Sequence, residues 1–457
     1  MKQSIIKSTP LSSEKSNRIA KNAGNLFIIR ARKNRMNLLQ TSSPKGSSAR
    51  NRRPGLPGVR LLLTFGAVLL VAAGCNLPSA NIAAPTAASG TEALAETDLM
   101  STAQAQVLSE LPTQEPPTPT PGPTETAAPP TADPNQKPPE LPEIFVSELL
   151  NPLDVPHTYE KDVCTFLKNR WDAGKAAPGT AVMVVMYHSI VKGDDSSVSF
   201  DNQVTAEKHN QFMEDLKAQG FETIDMTQFV NFMYNNDYIP ERSALIISDD
   251  RHREGYWRDH FKPYYEKYGW RVVNGWISAP DTGADLWAEN QKVEQEGYVD
   301  HQAHGVIHNI TMSDASTDEF LYGELQGSVD KIQEYFGKKP IGIIWPGGNF
   351  GFRPIEIAKE AGYKVGFTVN PRGPVMYNWV PLVDESDPTR PSFLPDGKQD
   401  PLFVIPRYWN TDGSYHIDTV RQLSKAAQDY IYANRETEIA YYNIVCAPVS
   451  GPLKETP

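Results

Sequence analysis

The chain of 457 residues holds only three cysteines, Cys75, Cys164 and Cys446. That is too few for a cysteine-rich scaffold or a cluster of thiolate ligands. It also lacks any run of about 20 apolar residues, the length a helix needs to cross a bilayer. The uncharged stretch Leu61–Gly74 falls short of it. Basic residues are unevenly spread. Met1–Arg60 hold 14 of the 44 Lys and Arg against one acid, Glu14, so the net charge of -11 conceals a far more acidic body. A body of that sign argues against nucleic acid and against a polyanionic substrate. From Asn76 to about Glu143 apolar bulk is missing, and Ala, Thr, Ser and Pro dominate, as in Pro116-Pro117-Thr118-Pro119-Thr120-Pro121. Such a segment cannot bury enough surface to offset its ordering entropy, so it excludes a core and reads as a disordered, partly extended tether.

What is present begins with a basic leader, the apolar stretch Leu61–Gly74, and then Ala72-Ala73-Gly74-Cys75. A short apolar core followed by small residues is the pattern of a secretion signal. The last four residues resemble the lipobox of bacterial lipoproteins, in which the cysteine is lipidated and becomes the first mature residue. Cys75 is therefore the expected lipid site, the alternative being a short anchor left uncut, and Met36 is an alternative start. The resulting organisation is a leader over 1–74, a tether over 75–142 and a folded domain over 143–457. Its expected setting is outside the cytoplasm, on a membrane through the lipid.

Within the folded part, apolar strand-like runs alternate with helical patterns. Ala181–Met186 is apolar throughout, as a strand buried on both faces requires. Glu160–Trp171 and Glu207–Gln219 read as helices, the second closed by Gly220, and Phe261–Tyr268 as a shorter one closed by Gly269. Leu245–Ser248, Val272–Ile277, Tyr298–Gln302, Ile341–Trp345, Lys364–Val369 and Leu402–Ile405 read as further strands. Ser316-Thr317-Asp318-Glu319 has capping-box spacing before a helix with Leu321, Leu325, Val329, Ile332 and Phe336 as its inner stripe. Strand–helix alternation repeated about seven times implies an α/β fold with a parallel sheet, closed or nearly closed into a barrel. In such barrels chemistry sits at the C-terminal ends of strands.

The central stretch is Leu245-Ile246-Ile247-Ser248-Asp249-Asp250. Two adjacent carboxylates repel each other, and a cation or shared proton between them relieves the repulsion. Further on, His304-Gly305-Val306-Ile307-His308 offers two imidazoles at i, i+4, a spacing that puts both on one side of a helical turn. One Asp and two His are a common three-ligand set for a catalytic divalent metal with open positions for water. Tyr187-His188, Trp345-Pro346 and Pro406-Arg407 fall at other strand ends.

Met186-Tyr187-His188-Ser189-Ile190, Ile247-Ser248-Asp249-Asp250, His304-Gly305-Val306-Ile307-His308 and Trp345-Pro346-Gly347-Gly348 resemble, in order, the motifs of the polysaccharide deacetylases (carbohydrate esterase family four). The resemblance runs over about Ala181–Arg407. It implies an incomplete or distorted (β/α)7 barrel, here with N- and C-terminal extensions. It also implies metal-dependent hydrolysis of acetyl groups on an amino-sugar polysaccharide. By the same resemblance Asp249 is the base, and Asp250, His304 and His308 hold a divalent ion, expected to be zinc. A divalent ion lowers the pKa of its water, and one aspartate must stay off it to take the proton. The departures are Arg251 where Gly is usual, Ile247-Ser248 in place of Thr-Phe, Gly305 where Ser or Thr is usual, no Arg in the third motif, and no late His as general acid. A catalytically inactive, glycan-binding surface lipoprotein that keeps the metal triad is the second reading.

Arg407 is expected either to stabilise a developing oxyanion or to be a buried ion-pair partner. His188, Tyr187, Trp345 and Pro346 are the expected substrate-binding residues. Trp379 and Trp409 are further candidates for stacking on sugar rings, or for the core. His301 reads as a packed or exposed residue, and His252, His260 and His416 as surface residues. With Cys75 lipidated, Cys164 and Cys446 remain in an exported domain where disulfides persist. They flank the barrel at its two chain ends, and a disulfide between them is expected, the alternative being two buried thiols.

Overall fold

The computed structural model describes residues 136–308, 310–383 and 400–454. The leader, Cys75 and nearly all of the tether lie outside them. Among the described residues no helix is long and apolar enough to cross a membrane.

Among the described residues twelve strands occur in order: β1 Asp154–His157, β2 Ala181–Tyr187, β3 Ser189–Val191, β4 Gln203–Thr205, β5 Glu222–Thr223, β6 Arg242–Asp249, β7 Val272–Trp276, β8 Val299–Ala303, β9 Gly342–Ile344, β10 Val365–Phe367, β11 Val380–Val383 and β12 Tyr408–Trp409. The main sheet is parallel along the path β10-β9-β8-β7-β6-β2-β12, and β5 adds to β6. The long β6 serves two neighbours on one side: Ser243 and Ala244 pair with β5, and Ile247–Asp249 pair with β7. Helices Ala206–Ala218, Met226–Asn235, Ala284–Gln295, Asp318–Phe336 and Phe352–Glu360 alternate with the strands. The fold is thus a distorted (β/α)7 barrel. Leu402–Ile405, expected as a strand, forms only a parallel bridge at Ile405 to Phe367. That segment still closes the ring. Leu402 and Ile405 carbonyls accept from Gly366 and Thr368, and Ile405 N–H donates to Gly366. Three residues on, Tyr408 and Trp409 pair with Val185 and Met186 of β2.

Alternation decides what each strand offers. Val182 and Val184 of β2 pack with Leu245 and Ile247 of β6 in one core. Ala181, Met183, Val185 and Tyr187 pack with Ala244 and Ile246 in another. Since successive side chains take opposite faces, Asp249 continues the Leu245–Ile247 face, and Tyr187 continues the other. The helix over Asp318–Phe336 starts at Thr317, whose side chain accepts Phe320 N–H, and stops at Gly337 with φ 73°. Leu321, Leu325, Val329 and Ile332 are buried as its stripe requires.

At the chain ends, Cys164 in the helix Val163–Trp171 forms a disulfide with Cys446, Cα to Cα 5.2 Å. Arg170 and Trp171 of the same helix both donate to the buried Glu438 carboxylate, at 2.6 and 2.7 Å. Together these contacts tie the C-terminal segment to the start of the barrel.

Candidate functional site

Asp249 ends β6 fully buried, an unfavourable place for a charge unless it is paired. Arg407 supplies the pair. Its Nη1 and Nη2 donate to Asp249 Oδ1 and Oδ2 at 2.7 and 3.0 Å, and its Nε donates to Thr368 O at 2.8 Å. Burial pushes the Asp249 carboxyl up, but Arg407, His188 and His304 outweigh it and hold it below its usual value. It is an ionised carboxylate locked in orientation. Arg407 itself is buried with both ends of its fork engaged. It is therefore placed as the ion-pair partner of Asp249, the second of the two expected roles, with one N–H from each guanidinium nitrogen given to a protein acceptor.

Asp250 turns away from its neighbour because its backbone is left-handed, φ 74°. Its carboxylate lies 3.6 Å from His308 Nε2. His304 Nδ1 donates to Ile344 O at 2.8 Å, which leaves Nε2 as the free lone pair. Burial, opposed by Asp249, keeps His304 below its ordinary pKa and so in the neutral, ligating form. Asp250, His304 and His308 each present a ligand atom, and these atoms lie within 4.8 Å of one another. The donor set, one carboxylate and two imidazoles with a fixed tautomer at His304, fits a divalent ion.

The two histidines do not share a helical turn. Gly305 at φ 73° and His308 at φ 64° break any helix, and a loop after β8 brings the rings together. Glu324, from the helix over Asp318–Phe336, accepts the Val306 and Ile307 N–H groups at 2.7 and 2.9 Å. A Cβ at Gly305 would lie 2.7 Å from Glu324 Oε2, so glycine is required where Ser or Thr was expected.

His188, one residue past β2, takes the opposite face from Tyr187. Its Nε2 is 3.7 Å from Asp249 Oδ2, its ring stacks on Trp409 at 6.0 Å, and it is 19 % exposed. Tyr187 is corrected: it is buried in the outer core, where its hydroxyl lies 3.2 Å from His209 Nδ1. Trp345 is buried too and donates Nε1–H to Phe403 O at 2.8 Å, so it is no sugar platform. Pro346 is buried against Gly305. Trp379 is buried and donates to Phe145 O, which leaves Trp409 at the rim. His252 is not a surface residue. It donates to Asp249 O at 2.8 Å and stacks on Tyr256 at 3.8 Å, bracing the turn from outside. His260 is buried as well, and its carbonyl accepts from His209. His301 is packed, between Glu294 and Asn290 at 2.7 and 3.0 Å. Arg251 points away from the donors, to Asp281 and Thr282 at 2.9 Å each.

A locked carboxylate beside a carboxylate–imidazole donor set, at the C-terminal mouth of a parallel barrel, can serve metal-assisted hydrolysis. The polysaccharide deacetylase family model matches residues 198–366. The match includes all three donors and Asp249, while His188 and Arg407 lie outside it on either side. The chain is similar to a deacetylase from Streptococcus pyogenes solved with acetate, at 18 % identity over 51 % of this chain and 92 % of that one, TM-score 0.41. It is also similar to a polysaccharide deacetylase from Bacillus cereus, at 18 % over 52 % and 69 %, TM-score 0.39. A de-N-acetylase from Aggregatibacter actinomycetemcomitans is similar at 16 % over 53 % and 99 %, TM-score 0.40. No curated protein matches the chain.

Proposed function

We propose that the protein is a zinc-dependent N-deacetylase of an acetylated amino-sugar polysaccharide, held outside the cytoplasm by a lipid on Cys75. The observation that carries the reading is Asp249, ionised and fixed by Arg407 beside three metal donors it does not join. Asp250, His304 and His308 would hold the ion. A bound divalent ion supplies a more acidic water and a polarised acyl carbonyl.

Asp249 takes the proton of the attacking water. Arg407 keeps both carboxylate oxygens aimed and keeps the group charged. Water adds to the acetamide carbonyl carbon, the carbon–nitrogen bond breaks, and the amine leaves with a proton. His188 is the donor of that proton. It is the imidazole beside Asp249 that faces the mouth and belongs to no donor set, and its stacking on Trp409 fixes the ring. The acid role of the absent late histidine thus comes from the start of the barrel. The products are acetate and a free amino sugar. Arg251 is engaged with Asp281 and Thr282 rather than with Asp249 or a metal donor, which supports turnover over the glycan-binding reading.

The deciding experiment measures acetate release from acetylated chitooligosaccharides, peptidoglycan and acetylxylan, by the chain stripped of metal and then loaded with zinc. Release from an N-acetylated substrate only after loading supports the proposal. Release from acetylxylan alone moves the linkage to an ester. A loaded chain that binds these glycans but releases no acetate establishes the inactive binding protein instead. Cys75→Ser should move the protein from membrane to soluble fractions; retention with an uncut N-terminus would replace the lipid by a plain anchor.

A further inference from the structure

Among the described residues four that are not glycine have left-handed backbone: Asn236, Asp250, His308 and Asn378. Asparagine visits that region routinely, whereas a histidine there needs a cause. Two of the four are metal-donor candidates, and each is flanked by a buried polar side chain that grips main chain rather than side chain.

Asn274 of β7 grips the aspartate turn. Its Nδ2 donates to Ser248 O at 2.8 Å and to Asp250 O at 2.9 Å. One amide bridging carbonyls two residues apart pins the turn that aims Asp250 away from Asp249. Asn274 is wholly buried, and its Oδ1 has no hydrogen-bond partner. A buried acceptor left unsatisfied is unfavourable, and an apolar side chain would avoid it, so packing alone does not account for an amide here. Glu324 grips the histidine loop. Its carboxylate is buried and takes the two successive N–H groups that lie between His304 and His308, Val306 at 2.7 Å and Ile307 at 2.9 and 3.0 Å. Neither residue offers an atom to the donor set.

We infer that Asn274 and Glu324 are positioning residues, two backbone clamps that hold Asp250 and the His304–His308 loop in left-handed geometry and so assemble the metal donors before the ion arrives. The inference rests on the metal-dependent reading above. Nothing in the chain's motifs pointed to either residue. Both act through hydrogen bonds to peptide groups, which leave no side-chain pattern.

The test uses the full-length chain with Asn274→Asp and Glu324→Gln, each nearly the shape of the native residue. Asn274→Asp removes both N–H donors, and Glu324→Gln turns an N–H group toward the loop amides. Three quantities are read: zinc affinity by competition with a chelator, the visible absorption of the cobalt(II)-loaded chain, and the melting temperature of the metal-free chain. Each variant should bind zinc roughly 10- to 100-fold more weakly. The cobalt spectrum should shift, and the metal-free chain should melt close to wild type. Wild-type zinc affinity in folded variants overturns the inference. So does a lowered metal-free melting temperature with unchanged affinity, or failure of both variants to fold, because each makes the residues ordinary supports of the barrel. If the wild-type chain takes up neither zinc nor cobalt, the proposed function falls. If it loads and the variants load equally well, only the clamps fall.

Discussion

Replacing Arg407 by methionine isolates the interaction at the centre of the site. The substitution keeps most of the apolar stem and removes a buried cation. It leaves Asp249 charged and buried with no fork to receive it, and it leaves Thr368 O without the Nε donor at 2.8 Å. Breaking a buried pair by deleting one partner costs about 3–5 kcal/mol. With roughly 2–4 °C per kcal/mol in a domain of moderate size, the melting temperature should fall by on the order of 10 °C. Asp249→Asn alone leaves Arg407 uncompensated and should destabilise similarly. The double variant leaves no buried charge, so it should recover much of the loss, with a coupling of about 2 kcal/mol or more in the cycle. Arg407→Lys keeps the charge but loses the two parallel bonds, and should fall between. Calorimetry and urea unfolding of the metal-free chain at pH 7 measure all four. A melting temperature for Arg407→Met within about 2 °C of wild type, or strictly additive losses in the double variant, would refute the reasoning.

The remaining expectations separate roles. Asp249→Asn and His188→Ala should each keep zinc and lose at least about 100-fold in turnover, whereas Asp250→Asn and His304→Ala should lose zinc itself; metal analysis beside acetate release checks the pattern, and zinc loss in Asp249→Asn would reverse the two aspartates. Burial lowers His209 to about 4. The unfolded chain, with histidine near 6.5, therefore binds more protons between those values. Stability is full above about pH 6.5 and falls as pH drops toward 4, by on the order of 3 kcal/mol from this residue. Urea unfolding across that range should show a flatter slope for His209→Gln; an unchanged slope counts against it. Cys164→Ser removes a link between residues 282 apart in sequence, worth about 5 kcal/mol in chain-entropy terms. Equal stability of wild type with and without reductant would contradict that.

Much of the fold was legible because buried parallel strands are apolar throughout and helices carry their own stripe and stop. Leu402–Ile405 shows the limit. Its apolar residues match a strand, yet the segment only bridges β10 before the chain crosses to β2, and hydrophobicity does not encode that crossing. Within the site, Asp250, His304 and His308 were legible as residue types at telling spacing. Their convergence through a loop was not, because it depends on left-handed backbone at Gly305 and His308. Tyr187 lies in the core while His188 beside it lies next to Asp249. Adjacent strand-end residues face opposite ways, and a motif written as a string conceals that parity. His252 was taken for a surface residue because its burial comes from Tyr256 stacking and the Asp249 carbonyl, neither visible in a local pattern.

Two of the departures from the family pattern, no arginine in the third motif and no late histidine, have one geometric answer. β2 and the 405–409 segment are adjacent because the ring closes there, with Trp409 paired to Met186 and Ile405 bonded to Gly366. Residues just past the end of the first barrel strand and just before the last therefore meet over Asp249, though Arg407 is 158 positions from it in sequence. In a closed ring, a role needs a side chain at the right height on the rim, from whichever strand can reach. Arg407 reaches Asp249 from the seam just before the last strand, and His188 reaches it from the end of β2. The order of motifs along the chain is then a weaker test of activity than occupancy of the positions around Asp249. By that test the site holds a locked carboxylate, three candidate metal donors and an imidazole at the rim.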